Sequence, residues 1–228
     1  MCLAYLTSSI GRKAVMAVTG LILFGFVVAH MLGNLQIFLG PEALNSYAEH
    51  LEELPALLWP ARVILLISLL LHILTAVTLA HENKRARPVG YKAQGSVQIT
   101  YASRTMVMSG LIVFAFIVYH LAHFTFGVTH PQYSGLLDAK GRHDVYAMVV
   151  MSFREPTVAL PYTLAMFVLS AHLRHGVQSV FQTLGLSNEN TRRGFDKLAV
   201  AAALLIFIGN TSIVACSYFG VFKTAAGS

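Results

Sequence analysis

Charge is scarce in this sequence, and what there is comes in clumps. Only 11% of the 228 residues are Asp, Glu, Lys or Arg, where a soluble domain carries about 25%. No charged residue lies between Lys13 and Glu42, from Val63 to His81, from Thr105 to Leu137, from Pro156 to Leu173, or from Leu198 to Phe222. Each gap is near or above the ~18–20 residues that a helix needs to cross about 30 Å of hydrocarbon. An ordinary soluble domain is excluded on this ground. The runs are continuous rather than alternating, which excludes a transmembrane β-barrel. Helices remain, because backbone in lipid must satisfy its own hydrogen bonds. Cysteine is almost absent: Cys2 and Cys216 stand at opposite ends. That excludes a disulfide framework, a C-x-x-C metal site and covalent C-x-x-C-H haem attachment, and leaves Cys216 as a small packing residue. A cleavable signal peptide is also missing. The first apolar run is too long for one and lacks a small-residue cleavage site, so it reads as a retained span.

What is present is 56% hydrophobic sequence arranged as five spans, roughly 12–38, 61–81, 104–127, 157–182 and 198–222. The fold class is all-α, an integral membrane bundle of five transmembrane helices forming one domain over 1–228, with no internal repeat. Gly40-Pro41, Pro55, Pro60, Pro88-Val89-Gly90, Pro131 and Pro156 punctuate the spans. The net charge of +6 points to membrane topology rather than nucleic acid, because the basic residues sit between spans. With the N-terminus cytoplasmic, Arg12, Lys13, Lys84, Arg85, Arg87, Lys92, Arg104, Arg174, Arg192, Arg193 and Lys197 lie inside. Only Arg62, Lys140, Arg142, Arg154 and Lys223 lie outside. That bias places the C-terminus externally, in a multi-pass protein of the cell (inner) membrane. Glu49, Glu52 and Glu53 then face outward.

Histidine is abundant, with ten in the chain. His30, His72, His120, His123, His172 and His175 lie in or near apolar runs, where an ionisable side chain is costly and signals function. At a rise of 1.5 Å per residue, His30 lies about 27 Å along its helix from Arg12, and His120 about 24 Å from Arg104. His72 lies about 18 Å before Lys84, and His172 about 15 Å before Gln182. The four sort into an outer pair, His30 and His120, and an inner pair, His72 and His172.

Opposed neutral imidazoles on facing helices suit the two axial positions of a haem iron. Small residues let helices approach one another or a flat macrocycle, and Gly20, Gly25, Gly33, Gly110 and Gly176 are placed for it, although close helix packing alone explains some of them. Arg12, Arg104 and Arg174 are candidate partners for haem propionates, or topology anchors. His120/His123 and His172/His175 are i, i+3 pairs that share a helix face. One of each pair is expected to ligate and the other to hydrogen-bond. A di-iron carboxylate site would need an acidic residue at depth, and the spans offer none.

The chain resembles the cytochrome b membrane-anchor subunit of succinate dehydrogenase and fumarate reductase in its single-chain, five-helix, di-haem form. The resemblance rests on A-H-M-L-G-N around His30, E-A-L-N-S-Y-A-E-H-L-E-E-L-P from Glu42 to Pro55, and L-L-H-I-L around His72. It continues in S-R-T-M-V-M-S-G with V-Y-H-L around His120, and in A-H-L-R-H-G-V-Q-S around His172. It implies two haem b groups, one ligated by His30 and His120 and the other by His72 and His172. It favours His120 over His123 and His172 over His175. It implies a flavoprotein and an iron–sulfur partner on the cytoplasmic face, a membrane quinone, most often menaquinone, and a place in a higher oligomer of the complex. Some members link an acidic residue at the position of Glu52 to quinol protons; a solvated helix face is the plainer reading. Some carry a Glu where this chain has Ser170, which puts that proton route in doubt. Bis-His ligation leaves iron no open position, so oxygen activation is not expected. The alternatives are the cytochrome b subunit of a hydrogenase or formate dehydrogenase, and a His-dependent transporter. The latter would be expected to show intramembrane carboxylates or broken helices.

Overall fold

The computed structural model describes residues 8–86 and 97–224, the side chains of 97–104 excepted. Among them are eight α-helices: α1 Ser9–Asn34, α2 Pro41–Glu52, α3 Pro55–Arg85, α4 Val97–His120, the short α5 Pro131–Ser134, α6 Val145–Arg154, α7 Pro156–Thr183 and α8 Arg192–Tyr218. A 3-10 turn, Leu35–Leu39, prolongs α1, and a π-helical turn, Leu121–Thr125, prolongs α4. Five segments are long and apolar enough to cross a membrane: Ser9–Leu39, Pro55–Arg85, Thr105–Thr125, Pro156–Thr183 and Arg192–Tyr218. Their surfaces expose residues such as Phe26, Ile64, Leu70, Leu111, Phe167 and Leu205. Water would not tolerate so much apolar surface, and lipid requires it. This is a multi-pass membrane protein.

Local chemistry sets the ends of these helices. The Ser8 hydroxyl accepts the Gly11 N–H at 3.0 Å and caps α1. Gly40 adopts φ 102°, a left-handed backbone that favours glycine, and turns the chain into Pro41 at the start of α2. The sequence places Pro60 ahead of the second span, but α3 begins at Pro55 and carries Pro60 within it. α7 repeats the arrangement with Pro156 and Pro161. Each inner proline is the sixth residue of its helix, past the first turn, and leaves the carbonyl four residues before it without its helical N–H partner.

The chain divides into two compact units, each drawing on several helices. The first comprises Met1–Phe26, Ala61–Leu111 and Ala171–Ala203. In it Arg12 pairs with Glu82, Gln178 donates to Asp196 at 2.6 Å, and Phe181 stacks on Phe195 at 4.0 Å. The second comprises Val27–Pro60, Ile112–Ser170 and Leu204–Ser228. Its core gathers Ile37, Leu44, Tyr146, Val150, Phe153, Val158, Tyr162 and Ile213, with Cys216 packed against them. Buried Asn45, from the E-A-L-N-S-Y stretch, ties α2 to α6. Its amide donates to Asp144 at 3.0 Å and its carbonyl accepts the Tyr146 N–H at 2.9 Å, while Asp144 caps α6 through Ala147. The α5–α6 connection is clasped on α2 by Arg142, which binds Asp138, Glu42 and Glu49.

Candidate functional site

In the first unit, His72 on α3 and His172 on α7 are seated in the same way by different helices. His72 Nδ1 lies 3.3 Å from the Thr19 hydroxyl of α1, and His172 Nδ1 lies 3.0 Å from the Ser109 hydroxyl of α4. Each hydroxyl already donates its proton to its own helix: Thr19 to the Val15 carbonyl at 2.8 Å, Ser109 to the Met106 carbonyl at 3.1 Å. A hydroxyl whose proton is committed can only accept from the imidazole. With the hydroxyl protons on the backbone carbonyls, the arrangement fits a hydrogen on Nδ1 of both rings and a lone pair on Nε2. The Met16 carbonyl also faces the His72 ring as an acceptor, which only a ring N–H satisfies. The residue after each hydroxyl is glycine. A Cβ on Gly20 would stand 3.3 Å from His72 Cε1, and a Cβ on Gly110 would stand 3.3 Å from His172 Cε1. The glycines thus make the space in which the rings lie.

This doubled seat is written in the sequence. Displaced by 90 residues, Met16-Ala-Val-Thr-Gly-Leu-Ile-Leu-Phe-Gly-Phe-Val-Val-Ala-His30 matches Met106-Val-Met-Ser-Gly-Leu-Ile-Val-Phe-Ala-Phe-Ile-Val-Tyr-His120 in its Met, Gly, Leu, Ile, both Phe, Val and His. The first and third spans therefore echo each other, a repeat that the reading by punctuation and composition does not detect. Thr19 and Ser109 were legible through that register alone, since a lone hydroxyl in a membrane helix ordinarily bonds its own backbone.

In the second unit, the structure brings His30 and His120 together, with ring centroids 5.7 Å apart and planes at 88°. Metal–imidazole bonds of ~2.0–2.1 Å, taken from zinc sites as a guide, would put two rings on one ion roughly 6 Å apart. His120 sits in an aromatic setting with Phe116, Phe124 and Tyr162. The π turn that follows it buries His123 to 2% exposure, a geometry common at functional positions. His123 bonds the Tyr162 hydroxyl through Nδ1 at 3.0 Å and Ser152 through Nε2 at 3.2 Å. His175 makes no hydrogen bond among the described residues.

The remaining candidates fall differently. Arg12, expected at a propionate, has Glu82 as its partner. Arg174 is exposed and makes no ion pair among the described residues. The Arg104 side chain lies outside the described residues, as do Arg87 and Lys92. Gly33 packs on Tyr47, whose hydroxyl would lie 2.6 Å from an added Cβ, while a Cβ at Gly25 or Gly176 would meet no described atom within 4 Å. Glu52 ends α2, exposed, at the rim of a groove of about 230 Å³ that also takes in Glu49, Lys140, Arg142 and His143. The His143 Nε2 in that groove is buried without a partner among the described residues, and so is the Ser170 hydroxyl of α7. Around the groove, hydrogen bonds from Arg142 first and Lys140 second hold the Glu42 carboxyl below its usual range. Arg142 likewise draws Asp138 down to about 2. No group of three or more His, Cys, Asp or Glu among the described residues is arranged to hold a metal ion.

No curated protein and no solved structure matches the chain significantly. A family model described as the succinate dehydrogenase/fumarate reductase transmembrane subunit matches residues 83–209, which include His120 and His172. With more than half of its length matched, the chain belongs to the succinate dehydrogenase/fumarate reductase transmembrane subunit family.

Proposed function

We propose that this subunit is a di-haem cytochrome b that relays electrons between an iron–sulfur subunit and membrane quinone, menaquinone in the first instance. The observation that carries the reading is the doubled seat of His72 and His172. A neutral imidazole with a hydrogen-bonded Nδ1–H and a free Nε2 is the form that ligates a metal, and the partner on the far nitrogen fixes both tautomer and ring orientation. The donor set fits haem: paired neutral imidazoles, no open carboxylate site, and glycines where a side chain would press on a ring. His72 and His172 would hold the inner haem, and His30 and His120 the outer. Haem iron, when bound, supplies a one-electron carrier; the protein supplies ligation, orientation and tuning.

The cytoplasmic N-terminus follows from the Lys/Arg bias and sets the flavoprotein and iron–sulfur subunits on that face. Glu52 is the proposed proton-exchanging group for quinone, with His143 and Arg142 across the same groove. The family match favours this assignment over a hydrogenase or formate dehydrogenase anchor. The test is purification of the complex from its membrane. A flavoprotein and an iron–sulfur protein should accompany the chain, with a b-type reduced spectrum at about two haems per chain, as two bis-His sites require. A colourless protein, or one without those partners, contradicts the reading.

A further inference from the structure

Tyr162 is the one hydroxyl in the second unit that the described hydrogen bonds place between two imidazoles. Its oxygen lies 3.5 Å from His120 Nδ1 and 3.0 Å from His123 Nδ1. The phenol has one proton to give, and its surroundings decide where it goes. His123 is bonded on its other side to Ser152 at 3.2 Å. The rings of Phe116, Tyr119, Phe124 and Phe153 enclose the phenol, and Tyr162 is only 4% exposed. If His120 binds iron through Nε2, its Nδ1 carries a hydrogen and must donate. The phenol oxygen accepts it and passes its own proton along the shorter contact to His123 Nδ1. His123 is then left with its hydrogen on Nε2, pointing at Ser152 Oγ. With iron on His120 Nε2 the imidazole and phenol donors each meet an acceptor, and the chain runs from His120 through Tyr162 and His123 to Ser152.

We propose that Tyr162 is a positioning residue for the outer iron site: it fixes the tautomer of His120 and raises that ligand's basicity, with His123 as the acceptor that strengthens it. The inference rests on the di-haem reading and goes beyond it. A hydrogen bond accepted from the far nitrogen of a ligating imidazole increases electron density on the ligating one. More density favours the more highly charged ferric iron and lowers the potential of that haem. A phenol that is itself donating is the better acceptor, because hydrogen bonds in series polarise one another. Thr19 and Ser109 perform a related task for the inner pair, but their protons end on a backbone carbonyl. Among the described residues, the outer site alone draws on a second, titratable side chain.

The test is a potentiometric titration of the purified complex followed in the haem bands, with the outer component identified by its loss in His30→Ala. In Tyr162→Phe both haems should be retained, the outer midpoint should rise and the inner should stay where it is. His123→Leu should move the outer midpoint the same way by less, and His123→Gln, which restores an acceptor oxygen, should return it toward wild type. Two retained haems with an unmoved outer midpoint in Tyr162→Phe overturn the proposal. Should Tyr162→Phe fail to keep the outer haem, the His123 pair decides: a rise in Leu that Gln reverses supports the proposal, and equal midpoints overturn it. Absence of haem from the wild-type complex would instead defeat the di-haem reading itself, a result separable from any shift in potential.

Discussion

The two units carry two histidine pairs, built on different plans. In the first unit the pair is symmetric: a hydroxyl and a glycine from one helix receive the imidazole of another, twice, at nearly equal distances. In the second unit symmetry stops at the rings. His30 and His120 face each other, but the positions after them diverge. Gly33 packs on Tyr47, while His123, 90 residues on, is buried in a π turn against Tyr162 and Ser152. The lesson is that a repeated helix supplies the facing histidines of one site and the hydroxyl–glycine seats of the other, while the groups that follow the repeat differ.

The largest expected effect comes from the ligands. His72→Ala or His172→Ala should each remove the inner haem and leave the outer, lowering content from about two to about one per chain, since an axial ligand cannot be spared. His30→Ala and His120→Ala should do the converse. Haem content by pyridine haemochrome checks all four, and any one that spares both haems breaks the pairing.

Next come the glycines. Gly20→Val and Gly110→Val should impair inner haem binding to a similar degree, because an added Cβ already stands 3.3 Å from each ring and further bulk must displace it. Overpacking of this kind costs about 1–3 kcal/mol. Gly25→Ala should leave both haems in place, which makes it the control. If Gly20→Val and Gly110→Val differ widely in haem retention, the symmetry of the seat is not functional.

Thr19→Val and Ser109→Ala remove the acceptor without the bulk. Losing such a partner typically weakens a metal site ~10–100-fold, so haem should be lost more readily on dilution or competition from both variants, with the outer component unmoved.

The smallest effect lies on the α5–α6 connection. Glu42 and Asp138 have their carboxyls depressed by Arg142. A carboxyl depressed in the folded state contributes stability above its unfolded value, near 4, and loses that contribution as pH falls toward the folded value, about 2 for Asp138. Thermal unfolding in detergent should therefore show a modest loss of stability between about pH 4 and pH 2. Arg142→Ala should flatten that slope. A slope unchanged in Arg142→Ala would remove the clasp from the account.

Much of the architecture was legible in the sequence because lipid imposes a coarse rule. A charge-free run of sufficient length is a span, and the five runs became five helices to within a few residues at most ends. Polar histidines in those runs stood out for the same reason. The supporting groups did not. Thr19 and Ser109 read as ordinary membrane-helix hydroxyls, Tyr162 as one more aromatic, and Asn45 as part of a motif without a task. Their roles depend on which helices become neighbours, and periodicity within one helix cannot report that. Arg12 is a further case. As a cation near a membrane face it reads as a propionate partner or a topology anchor, and its pairing with Glu82, 70 residues away, has no mark in the sequence. α6 was invisible as an element because ten residues are too few to span and too apolar to read as a loop.

The most direct measurement is an optical redox titration of the purified wild-type complex beside His30→Ala and His72→Ala. Two b-type components should appear in the wild type, His30→Ala should lack one, and His72→Ala should lack the other. Loss of the same component from both variants, or a wild type with a single component, would contradict the assignment of one haem to each histidine pair.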